Sequence, residues 1–285
     1  VSLYHEMVGR SWDSGTRSWA FSDTALYAIG VGAGAQDPAR ELEFTTGNCG
    51  GAAAAVLPTF ATTLASRQAE PALGDFDVSQ LLHTEQSVSL HGPLPTEGTA
   101  VTTSRLTALL DRGRSALAII DSSCADARTG RPLADLRTGL TIRHEGGFGG
   151  DRSGEEPWER PAGEPDHTVH YRTAPNQALL YRLNGDLNPL HCDPAIAARL
   201  GFGRPLLHGL CTYGYAGRAL LSRMCGGDPG WFGTMSASFT APVLPGQDLT
   251  VLIWDRGGSA LFQVRSDRRL VVDRGRFRRR ATAAG

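Results

Sequence analysis

Strand-like runs punctuate the chain in matched sets. Residues 101–110 (VTTSRLTALL) and 115–123 (SALAIIDSS) flank a short Gly-containing turn, and so do 249–255 (LTVLIWD) and 259–266 (SALFQVRS). Two runs joined across such a turn predict an antiparallel hairpin. A third run follows each pair, at 131–143 (RPLADLRTGLTIR) and 268–278 (RRLVVDRGRFR), so each set predicts a three-strand meander. The turns are near copies: DRGRSAL at 111–117 and DRGGSAL at 255–261, offset by 144 residues in a chain of 285. A Pro-rich turn precedes each meander, HGPLPTEG at 91–98 and APVLPGQ at 241–247. One seven-residue near-match could arise by chance, but matching flanks on both sides make internal duplication the better reading.

Each half also carries one apolar segment ahead of its meander, 52–66 (AAAAVLPTFATTLAS) and 208–224 (HGLCTYGYAGRALLSRM). Both predict a helix without a polar face, and such a helix is surrounded rather than half exposed. In the second, Gly214, Ala216, Gly217 and Ala219 are small enough to let other backbone approach closely. One helix wrapped by a strongly curved antiparallel sheet is the hotdog arrangement. The expected fold is therefore α+β: a double hotdog, two curved antiparallel sheets each wrapping a central helix. Between the halves, 146–168 (GGFGGDRSGEEPWERPAGEPDHT) is rich in Gly, Pro and acidic residues, a composition that marks a linker. The expected domains are 1–145 and 169–285.

The halves differ at 179–209, read as an insertion that the first half lacks. Here GDLNP is a turn built from Gly, Asp, Asn and Pro. Asp193 followed by Pro194 predicts a helix start, and Gly201 a helix end. Asp186 and His191 thus sit five residues apart on a turn leading into a helix. His208 and Gly209 open the central helix, whose first N–H groups lack intrahelical partners and can receive a developing oxyanion. A carboxylate base, a histidine whose proton is mobile near neutral pH and a polarising helix end make a chemical site. Alone, Asp186 also reads as a turn former bonding its own backbone, and His191 as a capping or core histidine.

Composition narrows the chemistry. The chain has no lysine, which excludes a Schiff-base lysine, a lysine-bound pyridoxal cofactor and a Walker-type phosphate loop. Nothing in it suggests any other cofactor. A net charge of −1 supplies no overall basic field for nucleic acid or an anionic membrane, and the arginines from Arg274 to Arg280 read as a solvated strand and tail. No stretch reaches the ~18 apolar residues of a membrane span. The first residues show no basic-then-apolar signal, and the five cysteines have no short paired spacing. A cytoplasmic protein with free thiols is expected. His191, Cys192, Asp193, His208 and Cys211 invite a metal reading. Adjacent residues do not readily ligate one ion and the gap to HGLC fits no usual zinc spacing, so no metal is expected.

YRLNGDLNPLHCDP at 181–194 followed by GFGRPLLHGLCTYG at 201–214 resembles the signature of the MaoC-like (R)-specific 2-enoyl-CoA hydratases, in their two-hotdog form. LYAIGVGAG at 26–34, VLPTFA at 56–61, HTEQSVSLHGPLPTEG at 83–98, GGFGGDR at 146–152 and FTAPVLPGQ at 239–247 are similar to further family segments. The resemblance implies hydration of enoyl thioesters, or the reverse dehydration. One active site lies in the C-terminal half, and a degenerate N-terminal half accommodates the acyl chain. Asp186 and His191 would hold the water, with Asn188 beside them and the Gly209 N–H on the thioester oxygen. His208, Leu210, His83 and Gln86 would meet the substrate, an acyl-CoA or acyl-carrier thioester. A homodimer is compatible with the family. Gly47 departs from it, standing where relatives carry Glu, which points toward an unusual substrate. Two other classes compete: a hotdog thioesterase, which the Asp/His segment argues against, and a repurposed dehydratase, cyclase or acyl-binding protein of a specialised biosynthetic pathway.

Overall fold

The computed structural model describes residues 3–49, 51, 53–65, 71–151 and 157–281. Each half runs in the same order: a strand, a long connection, a second strand and a meander. The first half holds β1 (Ser11–Trp19), β2 (Leu81–Leu90), β3 (Gly98–Asp111), β4 (Ser115–Asp126) and β5 (Pro132–Arg143). The second holds β6 (His167–Arg172), β7 (Phe232–Phe239), β8 (Asp248–Asp255), β9 (Ser259–Ser266) and β10 (Arg269–Arg279). The spatial order is β1-β3-β4-β5-β2-β7-β10-β9-β8-β6. Read inward from either end it is the same topology, so the duplication seen in the turns is a duplication of the whole sheet. The halves meet where β2 and β7 pair antiparallel, Glu85 opposite Ser238 and Ser89 opposite Thr234. The two five-stranded sheets are thus edge-joined into one of ten strands. Register shifts at Leu106/Ala108, His83/Glu85 and Asp273/Arg276 add local bend and twist.

The central helix is α5 (Gly209–Met224), with Tyr213, Tyr215, Ala216, Ala219 and Leu220 essentially inaccessible. Its small residues admit side chains of the first half, not backbone as expected. A Cβ added at Gly214 would lie 2.4 Å from Val31 Cγ1, and one at Gly217 would lie 2.5 Å from Thr59 Cγ2. The expected first-half helix at 52–66 does not form over its described part, and Ala52 and Ser66 lie outside the described residues. Residues 53–57 are irregular and only a 3-10 turn follows, Pro58–Thr63. Pro58 has no N–H to donate and its ring collides with the carbonyl four residues back, so a helix can start at it but not run through it. The first half is filled instead by α1 (Phe21–Gly30) and α2 (Leu42–Thr45).

The insertion reading also changes. Residues 20–80 connect β1 to β2, and 173–231 connect β6 to β7, segments of nearly equal length. The halves differ in what fills the connection: α3 (Gln177–Arg182), α4 (Pro194–Arg199) and α5 in the second. Asp193 caps α4 as its sequence requires, accepting from Ala195 N at 2.8 Å, and Gly201 follows at φ +85°. Of the segment at 146–168, residues 152–156 lie outside the described residues. Before them, the buried Asp111 carboxylate accepts from Gly147 N and Gly149 N at 2.9 and 2.8 Å.

Because β7 is paired on one side by β2 and α5 is seated against Val31 and Thr59, a fragment of residues 170–285 exposes both an unpaired edge and an apolar helix face. It is expected to aggregate or to run above monomer size on gel filtration. A soluble, fully active monomeric fragment is the result that contradicts this architecture.

Candidate active site

The turn after α3 builds itself from short polar side chains. Gly185 takes φ +113°, and Asp186 Oδ1 then accepts from Asn188 N at 3.1 Å. Asn188 Oδ1 accepts in turn from Leu190 N at 3.0 Å and starts the 3-10 turn Pro189–His191. The turn-forming reading of Asp186 therefore holds, alongside a second circumstance: its carboxylate points into a cluster with two histidines. Asp186, His191 and His208 each offer an atom, all within 4.8 Å of one another.

Each histidine is oriented by a backbone carbonyl. His191 Nδ1 lies 2.9 Å from Leu206 O, and a carbonyl only accepts, so Nδ1 carries the proton and the lone pair sits on Nε2. His208, the N-cap of α5, donates from Nε2 to Asp186 O at 3.3 Å. The two rings stack at 3.7 Å and 27°, with Tyr181 4.9 Å from His208 on another side. His208 is 1% exposed, and among the described residues its Nδ1 has no hydrogen-bond partner. Burial first, then the neighbouring His191, pushes its pKa down to about 3, against an opposing pull from Asp186. It is a neutral spacer at neutral pH.

That value carries a stability consequence. The folded pKa lies below the 6.5 of the free side chain, so the unfolded chain binds a proton that the folded chain refuses. The contribution is fully present above about pH 6.5 and is lost as pH falls toward 3. Wild type should lose on the order of 3 kcal/mol by pH 4 from this group. His208→Asn should flatten that part of the profile, read as melting temperature against pH.

Three ligand-type side chains raise the metal question again. A metal bound to imidazole lies in the ring plane along a nitrogen lone pair. Stacked rings aim their lone pairs side by side rather than at one point, so this arrangement does not match a chelating set. Dialysis of the purified protein against a chelator is expected to leave activity within twofold of the starting value, and a loss reversed by added zinc would show the opposite.

The other sequence-derived residues fall into two places. Gly209 opens α5, and an added Cβ there would touch the Phe239 ring at 3.4 Å. Leu210, His83 and Gln86 line a small cavity beneath, in the first half, and His83 meets the edge of Phe239 at 5.3 Å. The exposed Asn188 side chain is engaged in capping. Gly47 stands at φ +66°, where an added Cβ would lie 2.8 Å from Phe21, so a larger side chain there requires Phe21 to move.

Sequence reasoning missed the supports. Arg17 Nη1 on β1 donates to Thr63 O at 2.7 Å and to Asn184 O at 3.0 Å, tying the first half to the turn that carries Asp186. Gln177 Nε2 on α3 donates to Gly30 O at 2.7 Å, at the end of α1. No local pattern marks residues whose partners lie about 150 positions away.

A duplicated antiparallel sheet, one long buried helix and an Asp/His pair at that helix's N-terminus define a double-hotdog protein whose Asp/His cluster, among the described residues, lies in its second half. The MaoC like domain matches residues 157–273, and the MFE-2 hydratase 2 N-terminal domain matches residues 18–144. The chain belongs to the MaoC-like dehydratase family, in the form that carries this N-terminal domain. It is 41% identical over 270 residues to 3-hydroxyacyl-thioester dehydratase Y of Mycobacterium tuberculosis, covering 90% of this chain and 91% of that protein. It is 36% identical to the peroxisomal enoyl-CoA hydratase 2 of Arabidopsis thaliana, covering 85% and 84%. A MaoC-like dehydratase from Phytophthora capsici superposes with a TM-score of 0.88 at 30% identity, covering 100% and 99%.

Proposed function

We propose that this protein hydrates trans-2-enoyl thioesters to (R)-3-hydroxyacyl thioesters, or runs the reverse dehydration, as a hydro-lyase. The observation that carries this is the grouping of Asp186 and His191 within 4.8 Å beside the first turn of α5, in a chain so similar to named hydratases and dehydratases. An enoyl thioester is electrophilic at its β-carbon because the carbonyl takes up charge. Asp186 accepts a proton from a water held between it and His191 Nε2, and the water oxygen bonds to the β-carbon. The Gly209 N–H receives the charge on the thioester oxygen. The α-carbon is then protonated from the Asp186/His191 pair, which ends the cycle in its starting state. Two coupled groups on one water share the proton, so the pair is the catalytic unit.

Loss of enoyl absorbance on mixing with crotonyl-CoA and longer trans-2-enoyl-CoA esters tests the proposal. Release of free coenzyme A without that loss would establish a thioesterase instead. Gly47 favours one second reading, a dehydratase, cyclase or acyl binder of a specialised pathway, because it offers no side chain where the family resemblance implies an acidic one. Among the described residues no helix is long and apolar enough to cross a membrane. All five cysteines are free thiols, which supports a reducing, cytoplasmic setting.

A further inference from the structure

The concave faces of the two halves differ in chemistry. In the second half, Met235, Ala237, Val251, Ile253, Phe262 and Val264 belong to one apolar cluster with α5. In the first half, the short Pro58–Thr63 turn replaces a helix, and the sheet beneath it carries hydroxyls. Ser14 donates to Ser104 at 2.6 Å, and Ser104 and Ser122 share a bond of 2.7 Å. All three serines are buried. In the next cross-strand row, Thr138 donates to Gln86 Oε1 at 3.3 Å. These side chains form a polar belt across β1 to β5 and β2.

The belt opens onto the cavity that Leu210 closes on the α5 side. Its walls include Thr62, Gln86, Ser104, Ser122 and Thr138, and its volume is about 30 Å³. That is room for about two waters or a short chain extension. Leu210 follows Gly209, so an acyl chain whose thioester oxygen sits on the Gly209 N–H has this cavity ahead of it. The belt is one acceptor short. Three serine hydroxyls carry three protons, and their two mutual bonds use two of them. One proton remains to donate within the Ser104–Ser122 pair. A saturated chain entering the cavity strands that donor, whereas an oxygen atom accepts from it.

Resting on the hydratase reading, we infer that the acyl group this protein takes carries an oxygen function, a hydroxyl or carbonyl, beyond the reacting double bond, received by the spare donor of the Ser104–Ser122 pair. The first half thereby selects an oxygenated rather than a saturated acyl thioester. A site built to bond an oxygen discriminates strongly against the analogue that lacks it, whereas a hydrophobic pocket rejects an added hydroxyl only weakly.

The test compares esters of equal size on one protein. Terminally hydroxylated trans-2-enoyl-CoA esters of five to eight carbons are each paired with the enoyl-CoA in which a methyl replaces the hydroxyl. In wild type the best hydroxylated ester is expected to exceed its partner at least about tenfold in kcat/KM. In Ser104→Ala/Ser122→Ala, which removes both hydroxyls of the pair that lines the cavity, that ratio is expected to fall to about one or below. Because both esters meet the same protein, a variant that folds poorly lowers both rates and leaves the ratio intact. Preference for the methyl ester at every length in wild type, or a ratio that the double variant leaves unchanged, overturns the inference. Inertness of every ester, crotonyl-CoA included, overturns the hydratase reading and this inference with it.

Discussion

Asp186→Asn should reduce turnover of an enoyl-CoA ester ~100- to 10,000-fold, the usual contribution of a general acid–base group. It should do so at nearly unchanged melting temperature. The asparagine Oδ1 still accepts from Asn188 N, so the turn keeps its hydrogen bond and loses only the base. His191→Ala should have an effect on rate of the same order. It also deletes the bond to Leu206 O and the stack on His208, so about 1 kcal/mol of stability goes with it. If both groups act on one water, the double variant is scarcely slower than the slower single one. A purely structural pair gives the opposite pattern: lowered melting temperatures, with normal specific activity in the folded fraction. Turnover and melting temperature measured together on the three variants separate the cases.

The second large effect is expected far from this chemistry. Arg218, on the buried face of α5, is 6% exposed. Its Nε and Nη2 meet the Glu41 carboxylate at 2.9 and 2.5 Å, its Nη1 donates to Val31 O at 2.9 Å, and its guanidinium lies 4.8 Å over the Tyr171 ring. Glu41 lies in the first half, so the pair clamps the two halves together across the helix. Removing one partner leaves an uncompensated buried charge, whereas replacing both by apolar groups need not. Glu41→Gln should cost about 3 kcal/mol, the lower end of the range, because the Glu41 side chain keeps 29% exposure. That is roughly a 6 °C fall in melting temperature for a chain of this size. Glu41→Leu combined with Arg218→Met should recover part of it. Additive losses across Glu41→Leu, Arg218→Met and the double variant would show that the two side chains do not act as a pair.

These two expectations draw on different amounts of the sequence. The turn that bears Asp186 was legible because its chemistry is local. Gly185, Asp186, Asn188 and Pro189 fold by bonds spanning two residues, and the Asp193-Pro194 cap works within one helical turn. The hairpins were legible for the same reason, since DRGRS and DRGGS place a glycine at positive φ between paired strands, at Gly113 and Gly257. The Glu41–Arg218 clamp and the Arg17 bonds to Thr63 and Asn184 join residues from 46 to 177 positions apart, and nothing in either partner's neighbourhood announces the other.

Segment 52–66 shows where composition misleads. Its alanines and leucines favour helix, and its lack of a polar face correctly indicates burial: Val56, Leu57, Phe60, Ala61 and Leu64 are each 3% exposed or less. Burial does not specify conformation, and Pro58 decided it. The expected insertion in the second half failed for a related reason. Comparing motifs reveals which residues a connection carries, but only the strand pairing shows that both connections span the same gap.

By itself, then, the sequence determined the duplicated meanders, the helix α5, the capped turn bearing Asp186 and His191, and the family these motifs resemble, all through interactions between near neighbours. The duplication also predicts that the two sheets pair; the tertiary structure alone decided that β2 and β7 are the strands that join them and that His208 stacks on His191 as a neutral ring. It alone placed a hydroxyl-lined cavity next to Leu210. The sheet junction and the cavity depend on surfaces brought together over more than a hundred residues, and the ring stack on two turns packed together from 17 positions apart; the burial and hydrogen-bond completion that favour such meetings are properties of the packed whole rather than of any stretch of chain.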